Sequence, residues 1–235
     1  MKFTVLSFEN GAPIPAEFAM GIPGTDGPAT FGPNRSPHLV WADAPAGTKS
    51  FTLICIDPDA PSVRDDANQP DRTVPYELPR ADFYHWVLVD IPAGINELPA
   101  GGDSEGVTIR GKEVGRTPYG VRGINSYTSW FAGDSSMEGD YGGYDGPFPP
   151  WNDERTHHYR FTLYALDVET LRLTGAFDGA DALFAMRGHV LDEAEWVGTY
   201  AIYPKAVLSG YRRSIAARIP TPPDWRRICA GCSSS

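Results

Sequence analysis

Three runs along the chain carry the strongest hydrophobic patterning. Residues 51–57 (FTLICID) are almost unbroken in apolar side chains and meet Pro58. Residues 83–91 (FYHWVLVDI) are rich in aromatic and β-branched side chains and meet Pro92. Residues 159–168 (YRFTLYALDV) alternate, placing Tyr159, Phe161, Leu163 and Ala165 on one face. Apolar runs of this length, closed off by turn residues, predict buried strands. Residues 2–8, 38–42 and 197–203 are weaker candidates. Between the runs the chain is punctuated by 25 Gly and 22 Pro, which suits short strands joined by many turns and works against long helices. The predicted fold is mostly β: a two-sheet antiparallel β sandwich with a few short helices. Residues 179–197 depart from this pattern. Leu183, Phe184 and Met186, then Leu191, Ala194 and Val197, recur at helical intervals, with Asp181 and Asp192 as candidate caps. They predict two short helices broken at Gly188. The Gly- and Asp-rich residues 132–146 read as a long surface loop.

Composition narrows the function classes. A chain of 235 residues with 41% hydrophobic content has enough apolar mass for a real core and is compatible with one domain. Its net charge of −10 would be repelled by phosphate backbones and anionic lipid surfaces, which argues against nucleic acid as a partner. The acidity is uneven. Residues 205–235 carry six bases (Lys205, Arg212, Arg213, Arg218, Arg226, Arg227) against one acid (Asp224). They read as a basic C-terminal extension beyond a domain spanning 1–204, able to lie on the acidic body or to reach a protein partner. No window approaches the roughly 18 apolar residues of a spanning helix, so no integral membrane association is expected. With no secretory signal visible at the start, the expected compartment is the cytoplasm. Cys55 sits in an apolar run and reads as core, while Cys229 and Cys232 form a lone CxxC pair, too few ligands for a structural zinc site.

The candidate chemistry gathers where predicted strands end. In Asp57-Pro58-Asp59-Ala60-Pro61, two prolines fix the backbone and hold the acids where a strand leaves the core. The acids there either cap a rigid turn or form a pocket rim that orients a histidine or a ligand. His85 lies mid-strand, where an imidazole is costly unless hydrogen-bonded. It is either a satisfied core residue or a ligand-facing one, and alternation places it with Phe83, Val87 and Val89. Pro147, Pro149 and Pro150 stiffen the approach to His157-His158-Tyr159. By parity His157 and Tyr159 share a face, and His158 turns away with Arg160 toward solvent. Gly102-Asp103-Ser104-Glu105-Gly106 matches GxSxG but lacks the strand before and helix after that a nucleophile elbow needs. Asp57 and Asp59 alone supply too few oxygens for a hard cation. No cofactor or metal is called for.

These pieces, in this order, resemble the phosphatidylethanolamine-binding protein family, in its bacterial and archaeal branch of Raf kinase inhibitor-like proteins. The resemblance covers most of residues 1–204. It is carried by DPDAPS at 57–62, HWVLVDIPAG at 85–94, GINSY at 123–127, YDGPFPP at 144–150, HHYRFTLYALD at 157–167 and GHVLDEAEWVGTY at 188–200. It implies one small pocket near the strand ends that takes phosphate-like and carboxylate anions, including the phosphorylethanolamine headgroup. Carried over by motif, the pocket residues are Asp57, Pro61, His85, Pro150, His157 and Tyr159, with Phe83 and Trp86 on the apolar side. His158 stands where the family reads arginine, and residues 63–82 and 128–143, longer than usual, would reshape the mouth. The implied function is that of a small-anion-binding, regulatory module with a possible protein partner and no catalytic activity. The alternatives are a hydrolase or lyase using Asp57, His85 and His157 as acid and base groups, and a partner-binding protein acting through its basic tail.

Overall fold

The computed structural model describes residues 1–208. Its strands are β1 (Lys2–Val5), β2 (Gly21–Pro23), β3 (Ala29–Phe31), β4 (Leu39–Ala42), β5 (Ser50–Pro61), β6 (Arg80–Pro92), β7 (Glu97–Leu98), β8 (Gly115–Arg116), β9 (Val121–Arg122), β10 (Arg155–Leu166), β11 (Val190–Tyr200) and β12 (Val207–Leu208). Two short helices accompany them, α1 (Tyr127–Trp130) and α2 (Gly179–Ala185). The large sheet runs β11-β10-β5-β6-β9-β8, and β12 pairs in parallel with the start of β10. A small sheet, β1-β4-β7, covers one face. The mostly β, antiparallel architecture is the one expected.

The large sheet is buried on both faces, which explains why β5 reads as a continuous apolar run rather than an alternation. On one side Leu53, Cys55, Trp86, Leu88, Phe161 and Leu163 meet Phe3, Val5, Leu39, Trp41 and Leu98 of the small sheet. On the other, Ile54, Val87, Val89 and Leu166 meet Ala182 and Met186 around α2, and Phe177. Each large side chain fully buried here contributes about 1.5–3 kcal/mol.

Three expectations need correction. The strand at 51–57 does not end at Pro58. It continues to Pro61, paired with Arg80, with a register shift between Asp57 and Ala60, a bulge that takes Pro58 out of the pairing. The second predicted helix is β11, which pairs with β10 from His157↔Tyr200 to Leu166↔Val190. Over so few residues the apolar spacing fitted both periods, and the ladder to β10 decides between them. Asp192 accordingly caps no helix and pairs with the N-terminal ammonium. In α2 the cap is Asp178, with Asp181 completing a capping box. The supposed surface loop is core at its end: residues 141–145 are buried, and the Tyr144 ring packs on Trp86 at 5.0 Å. Of the basic extension, Lys205 to Leu208 are described, with Val207 and Leu208 forming β12; its arginines, Cys229 and Cys232 lie outside the described residues.

Candidate functional site

A cavity opens where β5, β6 and β10 leave the inner core. It holds about 310 Å³ of empty space, counted to its open mouth. Asp57, Pro61, His85, Pro150, His157 and Tyr159 all line it, so the structure brings the six expected residues together. Phe83, Tyr127, Trp130 and Phe148 complete an aromatic wall.

His85 reaches the cavity through a bulge. Cys55 pairs with Trp86 while Ile56 pairs with Tyr84, leaving His85 as the extra residue of β6. A bulge re-aims the side chains around it. Phe83 and His85 consequently sit ring to ring at 4.9 Å, with Tyr159 5.0 Å from His85. Tyr84 joins Val87 and Val89 in the outer core. The expected sharing of a face by His85, Val87 and Val89 is thus overturned, because strict alternation assumes a regular strand. Trp86 lies fully buried in the inner core rather than on the pocket wall, and Tyr127 and Trp130 take the place assigned to it.

The segment 144–150 is pinned against β6. Asp145 donates its N–H to the His85 carbonyl at 2.9 Å, and His85 Nδ1 donates to the Asp145 carbonyl at 2.8 Å. The Asp145 carboxylate accepts from Asn34, Asn125 and Lys112 at 2.7, 2.9 and 2.6 Å. Gly146 must be glycine, since a Cβ there would stand 2.0 Å from the Phe18 carbonyl. This anchoring delivers Phe148, Pro149 and Pro150 to the cavity as a stiff wall.

The opposite wall is a closed chain of charges. His157 Nδ1 meets Asp57 Oδ2 at 2.6 Å, and its Nε2 meets Asp153 Oδ2 at 3.1 Å. Asp153 is in turn held by both terminal nitrogens of Arg80 at 2.6 and 3.0 Å. Burial opposes charge on His157, but Asp57 and Asp153 outweigh it and lift the imidazolium to about 9. Burial likewise works against the Asp153 carboxylate, and the bonds from His157 and Arg80 hold it below the usual range. Both N–H groups of His157 are therefore committed to protein carboxylates. Asp59 is more than a local turn acceptor. It takes the backbone N–H and Nδ1 of His158 at 3.0 and 2.7 Å and Nη1 of Arg155 at 3.2 Å. His158 is buried with it rather than solvated. Arg80 and Asp153 went unnoticed in the sequence, since a lone charge in a turn-rich stretch carries no periodic signal. Tyr127 and Phe148, by contrast, fall within GINSY and YDGPFPP.

Two residues of the cavity lining keep a polar atom without a hydrogen bond from the described residues. Burial pushes the His85 imidazole toward its neutral form despite Asp57 and Asp145. With its proton on Nδ1, Nε2 is left with a lone pair. The Tyr159 hydroxyl is buried without a hydrogen-bond partner, and burial, then Asp57, hold it well above the ordinary phenol range as an intact O–H. Ser104 is buried at a turn and follows no strand–helix elbow; its hydroxyl faces the Gly106 carbonyl at 3.4 Å. Among the described residues no cluster of three or more His, Cys, Asp or Glu could hold a metal, and no helix is long and apolar enough to cross a membrane.

Comparison with known proteins fits this architecture. A family model described as phosphatidylethanolamine-binding protein matches residues 4–201. The UPF0098 protein YbhB of Escherichia coli is 33% identical over 196 residues, covering 83% of this chain and 96% of that protein. A UPF0098 protein of Methanothermobacter thermautotrophicus is 37% identical over 170 residues, 72% of this chain and 84% of its own. Among solved structures, E. coli YbcL, described as a new member of the mammalian PEBP family, superposes with a TM-score of 0.61 at 25% identity, covering 85% of this chain and 97% of that one.

Proposed function

The chain belongs to the phosphatidylethanolamine-binding protein family, and from that premise we propose that its pocket binds a small oxyanion, phosphate or a phosphorylethanolamine-like headgroup, as a regulatory binding module. The observation that carries this reading is the Tyr159 hydroxyl, buried without a partner beside His85 in a cavity with rigid walls. A buried donor left unpaired costs about 1–3 kcal/mol, and an anionic oxygen would recover it. The aromatic wall suits the apolar part of such a ligand. The carboxylates of Asp57 and Asp153 are already neutralised by His157 and Arg80, so they repel an anion less than bare acids would.

This reading takes a binding module over a hydrolase or lyase. His157 has given both nitrogens to carboxylates and keeps no lone pair with which to accept a proton. The test is a thermal-shift titration with inorganic phosphate and O-phosphorylethanolamine. Ligand that binds only the folded state raises the melting temperature with concentration. The rise is expected in the wild type and should vanish in His85→Ala and Tyr159→Phe; a rise that survives in both moves the anion elsewhere. Turnover of a phosphoester panel that disappears with His85→Ala would instead support the enzyme.

A further inference from the structure

Beside the aromatic wall the pocket offers a ligand a donor and an acceptor facing the same space. The Asp145 carbonyl can only accept, so the 2.8 Å contact places a ring proton of His85 on Nδ1, and with burial favouring the neutral ring the lone pair falls on Nε2. The donor is the unpartnered Tyr159 hydroxyl. The polar hydrogens nearest them are spent: the Tyr127 hydroxyl on the Gly146 carbonyl at 2.9 Å, and the N–H groups of His157 on Asp57 and Asp153. The charges bearing on His85 are Asp57 from β5, His157 from β10 and Asp145 from its loop, the last paired with Lys112. Tyr127 and Tyr159, which pack on its ring, are both held neutral by burial.

We propose that the pocket selects an oxyacid that still carries a proton: the ligand's own O–H donates to His85 Nε2 while its anionic oxygen accepts from the Tyr159 hydroxyl. The proposal rests on the anion-binding reading above and narrows it, from any tetrahedral anion to hydrogen phosphate or a singly ionised phosphomonoester. A fully ionised anion would set an oxygen lone pair against the His85 lone pair and add a second charge facing Asp57. Sulfate has the same shape and no proton to offer at working pH. A phosphomonoester loses its second proton near about pH 6, so its competent fraction falls as pH rises through neutrality.

The experiment is calorimetric titration of the whole chain with inorganic phosphate, sulfate and O-phosphorylethanolamine near neutral pH and again about one unit higher. Phosphate should bind at least about tenfold tighter than sulfate, since one buried acceptor is satisfied by the first and not by the second. O-phosphorylethanolamine affinity should weaken at the higher pH, as its last phosphate proton is lost, while inorganic phosphate keeps a proton at both values. In His85→Gln, whose amide can donate as well as accept, the gap should narrow. O-phosphorylethanolamine binding more tightly than phosphate would name a headgroup, and the reverse would name the free anion; either supports the selection, provided sulfate is refused. Sulfate binding as well as phosphate overturns the proposal and leaves the anion pocket standing, built from donors alone. No binding of any of the three, with the chain folded, overturns the anion-binding reading and the proposal with it.

Discussion

His157 and His85 stand in the same cavity, both buried, and their surroundings treat them in opposite ways. His157 lies between two carboxylates and holds its charge to about 9. His85 lies against a backbone carbonyl and an aromatic cluster, and burial keeps it neutral. The difference comes from the strands. β10 carries His157 four residues after Asp153, and Arg80 arrives from β6 to close the chain. The bulge in β6 turns His85 onto the same cavity, its ring hydrogen-bonded to a backbone carbonyl rather than to a carboxylate. One wall is therefore satisfied internally and serves to hold β5, β6 and β10 in register. The other is left unsatisfied and is the wall that, in the proposal above, meets a ligand. A histidine in a pocket is not by that fact a ligand-binding group; its partners decide.

The strongest way to break this contrast is to remove the cation from the closed wall. His157→Ala would leave Asp57 and Asp153 buried and facing one another, with Arg80 compensating only Asp153. Breaking a buried ion network by deleting one partner costs about 3–5 kcal/mol. Urea denaturation should show a loss of that size. A loss under about 1 kcal/mol would mean that the network contributes no more than a surface pair.

The same wall can be tested without mutation. A histidine whose folded value is raised to about 9 stabilises the fold fully below its unfolded value of 6.5, and that contribution is lost as pH rises through about 9. Stability should fall between neutrality and about pH 9 by on the order of 2–3 kcal/mol. On the acid side Asp153 and Asp59, both held below the usual carboxylate range, lose their contribution only as pH drops through their lowered values. His85 adds the opposite sign to His157: a depressed imidazole favours the folded state above its unfolded value and withdraws that support as pH falls. Equilibrium unfolding across pH would read this profile, and a flat curve above neutrality would show His157 to be neutral in the folded chain.

How far the sequence revealed the site follows the same line. Asp57, His85, His157 and Tyr159 were legible because each sits at a strand end or inside a strand whose apolar pattern is strong, in blocks resembling a known family. His85 was given Val87 and Val89 as neighbours because one extra residue in β6 reverses the parity on which face assignments depend, and Trp86, placed on the pocket by the resemblance, lies in the inner core instead. β11 was read as a helix because Leu191, Ala194 and Val197 fit a helical spacing, and only the ladder to β10 rules it out. Arg80 and Asp153 were invisible because their meaning lies in a contact between residues 73 positions apart, which no local pattern encodes.

The smallest effect on stability should fall on the open wall, at Tyr159→Phe. The hydroxyl makes no hydrogen bond, so deleting it removes no partner and relieves a buried polar atom of its desolvation cost. The ring contact with His85 at 5.0 Å remains. The variant should unfold within about 1 kcal/mol of the wild type, on either side, while its response to phosphate is lost. A change that is small in stability and complete in binding is the signature of a group held ready for a ligand, and it inverts the outcome expected at His157, two residues away on the same strand. If Tyr159→Phe instead costs as much as His157→Ala, the hydroxyl is satisfied in the folded protein by a bond to the chain or to ordered water. The division of the cavity into a structural wall and a binding wall would then fail.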